Sequence, residues 1–129
     1  MSVFRFVIPG RLPGLNEVNA ANRSNIYAGA SQKKAETKRC ALACAALPDF
    51  DRPGGIKPPV VVRITWHEAD WRRDFDNITS AKKFILDGLV KSRKLENDSR
   101  RFVAGGSDIL PPPDKKNPRI EVEIEEVCA

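Results

Sequence analysis

With 129 residues the chain is long enough for one domain and too short for two of ordinary size, so residues 1–129 are read as a single unit. A hydrophobic content of 41% supports a modest core, and the net charge of +5 is a mild push toward a polyanionic partner. No run approaches the ~20 apolar residues of a membrane span, and MSVFRFVIPG lacks the long apolar stretch of a signal peptide; a cytoplasmic protein without a membrane partner is expected.

In chain order, Val3 to Ile8 is an apolar-rich run bounded by Pro9 and Gly10, and reads as a first strand. GRLPGLNEVNAANRSN, rich in Gly, Pro and Asn, reads as a long loop. Ser31 is a candidate cap for a helix from about Gln32 to Leu47. Its apolar side would be Ala35, Leu42, Ala45 and Ala46, with Cys40 and Cys44. An odd cysteine count without a secretory signal argues against a disulfide framework, and these two thiols read as small buried hydrophobes.

After a second loop, DFDRPGGIKPP, the β-branched run from Val60 to Trp66 predicts a central strand. Asn77 or Asp76 would cap a second helix, from about Ile78 to Lys91, with Ile78, Ala81, Ile85 and Leu89 at helical spacing and Phe84 beside them. Arg101 to Ala104 is a short strand candidate ending at Gly105-Gly106. Arg119 to Val127 alternates, so Ile120, Val122 and Ile124 face inward and Glu121, Glu123 and Glu125 outward. The order β-α-β-α-β-β implies an α/β domain with a mixed sheet of about four strands and two main helices. The outward glutamates would repel DNA, so bound DNA is expected away from them.

The most informative segment is DWRRDFDN. In extended backbone, Asp74 and Asp76 point the same way and Phe75 turns toward the core. Two close carboxylates repel unless a cation lies between them, and Mg²⁺ is commonly held by one or two carboxylates together with waters and substrate phosphate. Arg72 and Arg73 stand directly before the pair, and the following helix would bring its positive end to the same place. Metal, arginines and helix end suit an attack on a phosphodiester. The same residues also make an ordinary capped turn, with Arg73 no more than a partner for Asp74. Glu96, Asn97 and Asp98 follow the second helix, which is long enough to return them to the same sheet edge. The basic residues gather between Arg72 and Arg101, including Lys82, Lys83, Lys91, Arg93, Lys94 and Arg100. His67 and Trp66 read as structural; Asn16, Asn19, Asn22 and Asn25 are open between contacts to a DNA backbone and ordinary turns, and Trp71 between stacking on a base and packing.

The run RRDFDN, then KKFILDGLV, then LENDSRRF resembles the RusA-type Holliday-junction resolvases, over about Val60 to Phe102 and more weakly at both ends. The resemblance implies a homodimer that requires Mg²⁺, with Mn²⁺ as an alternative, and nicks two opposed strands of a four-way DNA junction. By that resemblance Asp74, Asp76 and Asp98 match the metal-binding catalytic aspartates, and Arg73 a basic residue beside the site. Asp87 matches the aspartate of D-A-L, with Gly88 in place of Ala. The helical lysine falls on Lys83 if the extra residues here precede Lys82, and on Ser80 otherwise. Asn97 stands where the family has an acid. Arg72, Arg73, Lys82, Lys83, Arg100 and Arg101 are candidate DNA contacts. A branched-DNA-binding protein that has lost cleavage is the alternative; a small-phosphate hydrolase ranks lower, because no phosphate-cradling Gly-rich loop accompanies the acidic pair.

Overall fold

Alternating burial along Val60–His67 and Arg119–Glu126 builds the centre of the sheet. In the computed structural model, which describes residues 2–127, β1 (Val3–Pro9), β2 (Val60–His67), β3 (Val103–Ile109) and β4 (Arg119–Glu126) form one sheet in the order β1-β4-β2-β3. β4 pairs antiparallel with both β1 and β2, while β2 and β3 are parallel. A parallel pair needs a crossover. Here α3 (Phe75–Thr79) and α4 (Lys82–Lys91) supply it, and α1 (Leu15–Ser24) and α2 (Ile26–Ala43) join β1 to β2.

The inward residues Phe6 and Ile8, Val60, Val62, Ile64 and Trp66, and Ile120, Val122 and Ile124 are buried against Ile78, Phe84, Ile85 and Leu89. The helices thus cover one face of the sheet. On the other face the glutamates of β4 are not simply solvated. Arg5 bonds Glu123 at 3.0 Å, Arg63 bonds Glu125 at 2.8 Å, and His67 contacts Glu121. The expected α/β class and mixed four-stranded sheet are as observed, with two further helices inserted in the order.

Five local expectations are corrected. The Asn-rich segment after β1 is largely helical as α1, although no α1 residue is fully buried. It is held at its start by local bonds, Arg11 to Glu17 at 2.9 Å and the Gly14 amide to the Glu17 carboxylate at 3.3 Å, and by one tertiary bond, the Asn16 amide to the Asn77 side chain at 3.1 Å. Helix α2 starts six residues early, because Asn25 rather than Ser31 caps it, accepting from the Ala28 amide at 2.7 Å. Its buried side is Gly29 and Cys40, continued beyond the helix by Cys44 and Leu47, whereas Leu42 is exposed.

The second helix is broken at Ser80-Ala81. Ser80 donates its hydroxyl back to the Asn77 carbonyl at 2.8 Å, and Ala81 and Phe84 make tight i→i−3 bonds. Strand β3 runs through Gly105-Gly106 instead of ending there. A Cβ at Gly106 would sit 2.0 Å from the Val62 carbonyl oxygen, so glycine permits the close approach to β2 beside a register shift. Phe75, finally, does not turn into the core but is 56% exposed.

Candidate functional site

The acidic turn follows the C-terminal end of β2, the side of an α/β sheet where ligands commonly bind. Asp74 has extended backbone and occupies the N-cap position of α3, without a side-chain capping bond; Asp76 lies in the first turn of that helix. The two are therefore not alternate residues of one extended segment. Both are exposed, and Asp76 accepts a bond from the Asn77 amide at 3.0 Å. Helix α3 has five residues, so the long helix expected to aim its positive end at the pair is absent.

Behind the turn stands a buried clamp. Arg73 makes two bonds of 2.8 Å to the Glu68 carboxylate and a third, of 3.0 Å, to the Leu12 carbonyl. Its side chain is 12% exposed, and that of Glu68 11%. Arg73 therefore holds the turn to the start of the α1 segment. Its partner is Glu68, not Asp74. The Asn77 bond to Asn16 ties α3 to α1 in the same region. Lys82 is likewise engaged, bonding Asp108 at 2.6 Å, while the Trp66 indole donates to the other oxygen of that carboxylate at 3.0 Å. Lys94, in the same basic stretch, is buried, with its ammonium on the Leu47 carbonyl and Asp49. Arg93 pairs with Asp51.

Beyond α4 the chain reverses. Arg93 takes a left-handed conformation at φ 63°, and the amides of Lys94 and Leu95 bond back to the Leu89 carbonyl. The return run brings Asp98 alongside the start of α4, where Lys83 lies 3.1 Å from Asp98 and 3.1 Å from Asp87. The hydrogen bonds that Lys83 donates to Asp87 and Asp98 raise its pKa, so the ammonium stays charged. Ser80 lines the same cavity as Lys83, yet its hydroxyl is spent on the backbone. Of the candidate DNA contacts, Arg72, Lys83, Arg100 and Arg101 are exposed. Asn97 is exposed as well, its side chain accepting from the Ser99 amide at 3.0 Å.

Among the described residues no three His, Cys, Asp or Glu side chains are gathered into a set that would hold a metal ion. Asp98 is committed to Lys83. Asp74 and Asp76 are hard oxygen donors open to solvent, with no basic side chain bonded to either among the described residues. Two such carboxylates suit Mg²⁺, whose remaining positions are normally filled by water and phosphate. Sequence reading missed Glu68, whose burial beside Arg73 was signalled only by its place just past a buried strand, and the basic outer surface of α2, with Lys33, Lys34 and Lys38. Neither a family model nor a curated protein matches the chain.

Proposed function

We propose that the chain is a Mg²⁺-dependent structure-specific endodeoxyribonuclease of the RusA type, which resolves four-way DNA junctions by paired nicks in recombination and repair. The observation that carries this reading is the chain reversal after α4. It sets Asp98 against Lys83 on α4, the helix that comes after α3 and the Asp74–Asp76 turn. Asp87 of α4 and Asp98 of the returning segment thus share one cationic side chain, on the chain segment that follows the Asp74–Asp76 turn.

Asp74 and Asp76 would hold the ion, which when bound supplies Lewis-acid stabilisation of charge developing on the phosphate. Lys83, charged and exposed, is placed to take a neighbouring phosphate oxygen once a strand competes for it. Arg72, Arg100 and Arg101 provide solvent-facing charge for the backbone. Arg73 and Lys82, both ion-paired within the protein, act by holding the turn and α4 in place. A homodimer supplies two equivalent sites for the two strands to be cut. A cytoplasmic setting is part of the same proposal; among the described residues no helix is long and apolar enough to cross a membrane.

One observation favours the non-cleaving alternative: Lys83 neutralises Asp98, and Asn97 carries no charge to replace it. A synthetic four-way junction incubated with the protein in Mg²⁺ and in EDTA separates the two. Paired nicks in Mg²⁺ alone, symmetric about the branch point, support the nuclease. Junction binding without nicks in Mg²⁺ or Mn²⁺ would leave the binding-only protein.

A further inference from the structure

Helices α1 and α2 and the start of α4 enclose a cavity of about 330 Å³. We infer that it receives one nucleobase extruded from the bound DNA strand. This rests on the nuclease reading for the source of the base. The walls are apolar at Val18, Ala30 and Phe84, and the rim carries the amides of Asn22 and Gln32. Among the described residues neither amide hydrogen-bonds to another protein group. Asn22 lies tightly over Gly29: a Cβ there would stand 1.9 Å from its side-chain oxygen, so glycine makes the room it occupies.

An apolar slot with unspent amide donors and acceptors at its mouth matches the flat body and polar edge of a base. The volume is near the lower end of ligand pockets, roughly 300–1,000 Å³, which suits a single ring system and excludes a duplex. A base reaches such a recess only by leaving its stack, which costs least where pairing is already disrupted. The lining carries two ammonium groups: Lys83, paired with Asp87 and Asp98, and Lys33, without an ion-pair partner among the described residues. The Lys33 ammonium would hold a phosphate flanking the extruded nucleotide. Through Lys83 the cavity touches Asp98, a candidate site residue, so on the nuclease reading the base held here would help fix which phosphodiester is presented.

The test is a binding scan with Ca²⁺ in place of Mg²⁺, using four-way junctions that carry a single abasic nucleotide at successive positions around the branch. One position should weaken binding about tenfold, the scale of one base stacked on protein. Ala30→Leu fills the cavity from an exposed helix position; its fold is checked by circular dichroism. This variant should bind the intact junction about tenfold more weakly and be indifferent to that abasic site. A double Asn22→Ala, Gln32→Ala variant should stay sensitive to the abasic site but lose preference among the four bases there. No sensitive position, or full sensitivity retained in Ala30→Leu, would overturn the inference; nicking in Mg²⁺ by the same preparation would leave the nuclease reading standing. Binding of free deoxynucleoside monophosphates lost in Ala30→Leu, without an abasic-sensitive position, would assign the cavity to a free nucleotide and overturn it as well.

Discussion

Arg73 and Glu68 meet through paired charge-assisted hydrogen bonds with both side chains nearly out of solvent. Breaking such a pair strands one buried charge, which typically costs about 3–5 kcal/mol. Glu68→Ala should therefore lower unfolding free energy by about 3 kcal/mol in urea denaturation, more than Arg72→Ala, whose side chain is 88% exposed. Equal effects would show that the clamp contributes no more than a surface pair. The sequence places Arg73 beside Asp74 and so suggested a phosphate-facing role, because adjacency is visible in a sequence and a partner across a folded turn is not. The cysteines were legible, since a thiol in an Ala-rich helix has little else to do. Burial pushes the Cys40 thiol up to about 12, from 9.0 in an open chain. Above pH 9 the unfolded chain then binds fewer protons than the folded one, and this thiol's contribution to stability falls between pH 9 and about 12. Alkylation followed by peptide mass should find Cys40 and Cys44 unmodified in the native protein at pH 8 and modified in urea. Rapid native labelling would contradict their burial.

At the scale of elements, α2 and α4 approach closely at Gly88, where an added Cβ would stand 2.6 Å from that of Cys40 and 2.9 Å from the Ala41 amide nitrogen. Gly88→Ala gains about 1 kcal/mol in helix propensity. Forcing two packed helices apart typically costs about 1–3 kcal/mol. The variant should be destabilised by about 1 kcal/mol, read as a lowered urea midpoint; a raised midpoint would show that α2 and α4 yield without cost. The β-branched run located β2, and apolar–polar alternation β4, each within a residue. Periodicity failed for α1, which buries no residue fully and packs only Val18 on the core, with bonds from Glu17 and Asn77 fixing its start. It also missed the break between α3 and α4, which a serine hydroxyl competing for backbone produces without Pro or Gly.

For the whole molecule, the sheet has helices on one face and a ladder of Arg–Glu pairs on the other, so the acidic residues of β4 are largely compensated by Arg5 and Arg63. Exposed positive charge without an ion-pair partner among the described residues stands at Lys33, Lys34 and Lys38 of α2 and at Arg100 and Arg101, whereas Arg72 lies 3.7 Å from Asp70. Much of the candidate site was thus legible as residue types, while its arrangement was not. Lys83 joins Asp87 and Asp98, and its contact with Asp98 depends on the chain reversing at Arg93. The measurement that bears most directly on the nuclease reading compares wild type with Asp76→Asn on a synthetic four-way junction, scoring nicking in Mg²⁺ and binding in Ca²⁺. Nicking should fall on the order of 10³-fold or more, as the loss of several kcal/mol of transition-state stabilisation requires, with binding changed less than threefold. Wild-type nicking by Asp76→Asn would contradict a catalytic role for the Asp74–Asp76 turn.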